Sequence, residues 1–293
     1  MFGTAEHSEI NSALNEALST QRPLVAVHRG TGLGNITENT SAAITAALVQ
    51  GADMVEIDIV ESTDGEFFLF HDGYEPMHFG IQENIRTLSS QQITALTYRW
   101  SAGSTRYPVA RLEDVCWEHP STLFNVDRSW DYWERLLPYL DSFPNPGRFV
   151  LKAPVRADLL ETLSQHPVKY PFVPIVRSHA EAEEVLEAVG INLVGMELIA
   201  PDATHEFTAP GYIAGLHARG LLVLLNAINL GSGINLFAGW DDETSIFSSP
   251  EQGWRRLIEL GADIIQTDWP GLLVSYRSQC VAEAVTSRPI INA

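Results

Sequence analysis

A repeated unit constrains this chain more than any single motif: a short apolar run, an amphipathic helical stretch, then glycine. Apolar runs fall at 24–28, 54–59, 123–127, 149–153, 172–176, 193–197, 221–226 and 263–267. Runs this short that do not alternate with polar residues suit strands covered on both faces, as in a parallel sheet. Between them, residues 38–50 place Ala42, Ala43, Ala46 and Ala47 at helical spacing and stop at Gly51. Helical stretches at 180–189 and 251–260 likewise precede Gly190 and Gly261. Glycine suits that place because the residue after a helix commonly turns left-handed. Eight such units predict an α/β fold, a TIM (β/α)8 barrel, with residues 1–293 as a single barrel domain. An open doubly wound sheet is the alternative, because strand order is not written in the sequence.

Residues 60–110 interrupt the rhythm. They hold a turn signal, Asp64-Gly65, followed by the strand-like Phe67-Phe68-Leu69-Phe70-His71. The expectation is an insertion after the second strand, at the C-terminal mouth where barrels of this kind build their sites.

Charge narrows the partners. The chain carries 37 acidic against 18 basic residues, a net charge of −19. Such a surface repels nucleic acid and anionic membranes, so a small molecule is the expected partner. No apolar run nears the ~20 residues of a membrane span. The opening residues are polar and acidic, without the apolar core of a secretory signal. Cys116 and Cys280 lie far apart without metal-ligand spacing. They read as thiols in a reducing compartment, which points to the cytoplasm.

Chemistry-bearing residues gather at the ends of the early strands. His28-Arg29-Gly30 ends the first, Glu56-Ile57-Asp58 the second, His71-Asp72 the inserted one, and Asp127 the third. Glu56 and Asp58 are two apart on a strand and so face one side. Two carboxylates at a barrel mouth are costly unless a cation neutralises them, and Asp127 can supply a third oxygen ligand. His28 and His71 suit acid and base work, and Arg29 can grip phosphate oxygens. Lys152 is unusual inside an apolar run and is a second candidate for the phosphate. Glu197 and Trp269 are candidates for the pocket wall. Residues 129–133, Ser-Trp-Asp-Tyr-Trp, read as core packing or as a face for a sugar ring. The loop Leu230-Gly231-Ser232-Gly233-Ile234-Asn235, followed by Trp240-Asp241-Asp242-Glu243, is long enough to shape substrate choice.

The ordered series His28-Arg29-Gly30, Glu38-Asn39-Thr40, Gly51-Ala52-Asp53-Met54-Val55-Glu56-Ile57-Asp58, Asp64-Gly65 and His71-Asp72 resembles the glycerophosphodiester phosphodiesterase family, as does the closing Thr267-Asp268-Trp269-Pro270. The resemblance spans roughly residues 24–275. It implies a TIM barrel with an insertion after the second strand and one divalent cation, Mg or Ca, on Glu56, Asp58 and a third acid. It also implies His28 and His71 as the acid–base pair, Arg29 on the phosphate, and a phosphodiester cleaved to an alcohol and a phosphomonoester. In the family's mechanism a neighbouring hydroxyl attacks phosphorus and gives a cyclic phosphate that water then opens. The chain departs from the family pattern in places. Thr37 stands where proline precedes Glu-Asn-Thr, Asp127-Arg128-Ser129 replaces Glu-x-Lys, and Leu224-Leu225-Asn226-Ala227-Ile228-Asn229 replaces a Trp-Thr-Val-Asn pattern. The altered rim leaves room for a sugar phosphodiester of the agrocinopine type, for a lyase that stops at the cyclic phosphate, or for a non-catalytic phosphate-ester binding protein.

Overall fold

The structure, a computed structural model, describes residues 1–286 apart from 32, 35, 101, 102 and 232; Ser232 of the long loop is therefore outside the described residues. Its strands are β1 Leu24–Val27, β2 Met54–Glu61, β3 Phe67–Leu69, β4 Thr97–Trp100, β5 Gly103–Pro108, β6 Leu123–Asp127, β7 Phe149–Leu151, β8 Ile175–Val176, β9 Gly195–Leu198, β10 Leu222–Asn226 and β11 Ile264–Thr267. Eight of them pair in the order β7-β6-β2-β1-β11-β10-β9-β8. Every pairing along that path is parallel. Parallel bridges Leu151–Phe172 and Pro154–Ile175 bring the last strand back to the first. That ring decides for the (β/α)8 barrel against the open sheet.

Period-two alternation divides each strand between two cores. Leu24, Ala26, Met54, Leu123, Val150, Leu222, Leu224 and Ile264 point inward and pack together at the bottom of the barrel. Phe2, Leu14 and Leu18 join that cluster from the N-terminal segment and the helix Ser12–Thr20, which plugs the bottom. Their neighbours Val25, Val27, Val55, Ile57, Phe124 and Val126 point outward under the helix ring. Leu224 has no exposed surface. Leu224→Ala is expected to destabilise the fold by about 3 kcal/mol through a cavity between packed strands, read as a lower midpoint in urea unfolding.

Several elements are shorter than their apolar runs, for local reasons. Pro171 and Pro174 lack the N–H that a ladder needs, so the run at 172–176 survives as a bridge at Phe172 and the two-residue β8. The helix expected at 38–50 spans Ser41–Val49, because the Thr40 side chain accepts from the Ala43 N–H and caps it there. Glu38 and Asn39 are thereby left out of the helix. The helix expected at 251–260 spans Trp254–Leu260 and ends on Gly261 at φ 106°. The helix expected at 180–189 spans His179–Glu187 and is capped by Ala188, two residues before Gly190.

Residues 60–110 contain β3, β4 and β5. β2 runs on to Glu61 because β3 pairs with it antiparallel, Ile59 opposite Leu69. Val60, Phe68, Phe70, Phe79, Ile85, Ile93, Tyr98 and Val109 make a separate apolar cluster there. β4 and β5 form a hairpin. Among the described residues no helix is long and apolar enough to cross a membrane.

Candidate active site

The inward face that is apolar at the bottom turns polar at the top. Met54 is followed inward by Glu56 and Asp58, and Leu123 by Asn125 and Asp127. β2 and β6 pair with Asp58 directly opposite Asp127. Register alone therefore stacks the carboxylates, and ligand atoms of Glu56, Asp58 and Asp127 lie within 4.8 Å of one another. Each is held by a neighbour. The Arg29 N–H donates to Glu56 Oε2 at 2.8 Å, Asn39 Nδ2 donates to Asp58 Oδ2 at 2.9 Å, and Lys152 Nζ lies 2.7 Å from Asp127 Oδ2. Glu56 Oε1 is buried and has no hydrogen-bond partner. Three converging carboxylates with an orphaned buried oxygen suit a hard divalent cation with oxygen ligands. Burial, reinforced by the charge on Asp58, pushes the Glu56 carboxyl up to about 8.

Arg29 anchors the loop that supplies these contacts. Its guanidinium lies 2.7 Å from Glu38 Oε1 and 3.1 Å from Asp58 Oδ2, stacked over Tyr74 at 4.7 Å. Burial works against the charge on Glu38, but hydrogen bonds from His78 and Arg29 outweigh it and hold the carboxyl down to about 2. Arg29 (φ 54°), Thr31 (56°), Asn39 (55°) and Arg128 (53°) all adopt left-handed backbone. Conformations that side chains disfavour persist where surrounding contacts over-determine them. Here they turn the Arg29 N–H onto Glu56 and the Arg128 N–H onto Asp127 Oδ1.

The two histidines reach the same cavity, about 290 Å3 in volume, which Arg29, Asp58, Asp127, Lys152 and Glu197 also line. His28 Nδ1 lies 2.9 Å from Asp268 Oδ1. Burial opposes an imidazolium, yet the Asp268 hydrogen bond and the carboxylates of Glu56 and Asp268 outweigh it, so His28 is raised from its ordinary value. Asp268 is placed in turn by its backbone N–H, which donates to Asp242 Oδ2 at 2.8 Å. His71 Nδ1 lies 2.8 Å from the Asp72 carbonyl, and Tyr74 packs edge-on at 4.8 Å.

Lys152 is 2% exposed and sits between Asp127 and Glu197, 2.7 Å and 3.1 Å away. Burial disfavours the ammonium, but those two carboxylates hold it charged and raise its pKa. Glu197 Oε1 also accepts from Asn226 Nδ2 at 2.7 Å. Lys152→Met leaves two carboxylates without their cation. It is expected to cost about 3–5 kcal/mol, seen as a lower thermal midpoint with the barrel's circular dichroism retained.

Trp269 stands apart from the rest. It is 37% exposed and does not line the cavity. The aromatic stretch divides: Trp130 lines the cavity, while Trp133 is 2% exposed in the core and donates to Ser129 Oγ. The long loop contributes Leu230 to the wall, and Ile228 and Leu236 on either side of it line the cavity too. Sequence reasoning did not single out Asp268, Asn39, Glu38, Arg128 or Arg177 as site residues. The first three lie in motifs already noted, in which only the strand-end groups drew attention. Arg128, whose guanidinium is 2.8 Å from Asp72, and Arg177 carry no local signal.

Residues 28–272 match the glycerophosphoryl diester phosphodiesterase family. A stretch of 65 residues is 40% identical to glycerophosphodiester phosphodiesterase GDPD6 of Arabidopsis thaliana; it covers 22% of this chain and only 17% of that relative's length. Among solved structures, a glycerophosphoryl diester phosphodiesterase from Parabacteroides distasonis superposes with a TM-score of 0.69 at 17% identity, covering 91% of this chain and 92% of that one. An Oleispira antarctica phosphodiesterase, solved in complex with the product sn-glycerol-3-phosphate, gives 0.65 at 18% identity, with 88% and 98% covered. At such identities these likenesses speak for the barrel.

Proposed function

The chain belongs to the glycerophosphoryl diester phosphodiesterase family, and on that premise we propose that it hydrolyses a small-molecule phosphodiester to an alcohol and a phosphomonoester with one divalent cation, Mg or Ca. One observation carries the reading: the carboxylates of Glu56, Asp58 and Asp127 converge within 4.8 Å, Glu56 with a buried, unpartnered oxygen, and Asp58 and Asp127 line the cavity that both histidines reach. Glu56, Asp58 and Asp127 would hold the cation, which when bound would polarise a phosphoryl oxygen. Arg29 and Lys152 add positive charge on the phosphate side. The phosphodiester is drawn in by these local charges against a net charge of −19.

His28 and His71 share the proton transfers. Asp268 fixes the His28 ring through Nδ1, which leaves Nε2 to give a proton to the departing alkoxide. His71 accepts one from the attacking neighbouring hydroxyl of the substrate, and water then opens the cyclic ester to the monoester with the two histidines in reversed roles. Glu197 lines the pocket and positions Lys152. The Oleispira enzyme's product makes a glycerol 3-phosphate ester the first substrate to try. The test is turnover of glycerophosphocholine and glycerophosphoethanolamine after chelation and after return of Mg or Ca. Phosphorus NMR of the product separates a monoester from a persisting cyclic ester. Turnover that is indifferent to chelation removes the ion from the mechanism.

A further inference from the structure

The cavity has two unlike halves, and strand register explains why. One inward step above Glu56 and Asn125, β2 and β6 present Asp58 and Asp127. One inward step above Glu197 and Asn226, the chain leaving β9 and β10 presents Ile199 and Ile228. These two isoleucines line the cavity with Ile175, Leu230 and Leu236. In the ring, β2 and β6 lie opposite β9 and β10, so the apolar wall faces the carboxylates across the cavity. The polar groups of this half, Glu197 and Asn226, are one step lower: Glu197 faces Lys152 and accepts from Asn226 Nδ2, while Asn226 Oδ1 is buried without a partner at that lower level. Arg177 reaches the half at its exposed rim. Leu230, 46% exposed, marks where the wall opens to solvent, and Ile234 on the same loop is 62% exposed.

We propose that the alcohol esterified on the β8–β10 side has an apolar body, a hydrocarbon-chain alcohol rather than a polyol or sugar. This inference rests on the phosphodiesterase reading and names its substrate class. A polyol pressed against Ile175, Ile199 and Ile228 gives up water and finds no partner on those side chains, with one free acceptor below them, Asn226 Oδ1, and Arg177 at the rim; polar groups buried unpaired are strongly rejected. A methylene in the same place gains about fourfold in binding. Leu230 at the opening lets a chain longer than the cavity continue outward.

The test uses the whole protein with Mg or Ca and a series of glycerol 3-phosphate esters of methanol, butanol and hexanol, with the inositol ester alongside. The expected result is a kcat/KM that climbs at least about tenfold from methyl to hexyl, with the inositol ester below both. Ile199→Asn and Leu236→Asn are each expected to lower the hexyl-to-methyl ratio several-fold. A ratio taken within one variant cancels any loss of folded protein. A flat or falling series, an inositol ester that leads it, or variants that keep the wild-type ratio overturn the inference alone. No turnover of any ester with either ion overturns the phosphodiesterase reading, and this inference with it.

Discussion

Asp58→Asn is expected to lower phosphodiester turnover by about a thousandfold and to weaken Mg or Ca binding in a titration calorimeter. Asp58 is the point where the two strands bearing the carboxylates meet in register, opposite Asp127. The change is nearly isosteric. It keeps an oxygen for Asn39 Nδ2 and for the Arg29 guanidinium but removes the charge the cation requires. Binding is therefore the direct readout, and it does not depend on the choice of substrate. The pH dependence of the ion-free protein checks the same cluster. Glu56 is raised from 4.5 to about 8, mainly by burial and then by Asp58. Between those values the folded state keeps a proton that the unfolded state has lost. Stability is thus full below about 4.5 and falls toward 8, at about 1.4 kcal/mol per pH unit for one proton. Buried Asp242, raised to about 7, adds a loss of the same sign over a lower window. A bound divalent cation removes the Glu56 part only. Thermal midpoints at pH 5 and pH 8, with and without Mg or Ca, should therefore converge when the ion is present. Equal slopes with and without the ion place it elsewhere.

Much of this site was legible because strand geometry is a simple rule. A period of two sends Glu56 and Asp58 to one face, and a parallel neighbour in register brings Asp127 beside them, so the carboxylate cluster follows from the strand ends alone. The histidines were legible for the same reason, as polar residues ending apolar runs. What escaped depends on partners remote in sequence. Asp268 meets His28 across 240 residues, and only closure of the ring between β11 and β1 brings them together. Lys152 shows the difference. Its oddity inside an apolar run was visible, but its place between Asp127 and Glu197 needed the order of β6, β7 and β9 in space. Trp269 failed in the opposite sense. It follows a strand end, as the good candidates do, but the chain turns into the helix Pro270–Thr286 and leaves the indole facing solvent. Helix starts were missed where a cap outranks propensity, as Thr40 does, and that cap frees Glu38 and Asn39 for Arg29 and Asp58.

His28→Ala is expected to lower kcat by about a thousandfold, with KM for the diester changed far less, because the imidazole acts on the departing oxygen and not on the phosphate charge. Asp268→Asn separates the ring's chemistry from its orientation. The Asp268 carboxylate accepts the Nδ1 proton at 2.9 Å and raises His28 against the opposing effect of burial. An amide there can donate to Nδ1 instead, which shifts the proton to Nε2 and removes the charge that favours imidazolium. The expected loss is about a hundredfold in kcat, and the alkaline limb of the pH–rate profile moves to lower pH. The direction follows from the sign of the interaction: a general acid held protonated by a neighbouring carboxylate stays active to higher pH, and without that charge it titrates sooner. Asp242→Asn supplies the control one step further back. It leaves the Asp268 carboxylate in place and keeps an acceptor on one side only, for the Asp268 N–H at the Oδ2 position or for the Thr267 hydroxyl and Trp254 indole N–H at the Oδ1 position, so a smaller loss with an unmoved alkaline limb is expected. If Asp268→Asn instead raises KM and leaves kcat and the limb in place, His28 is a binding residue and the proton comes from another group.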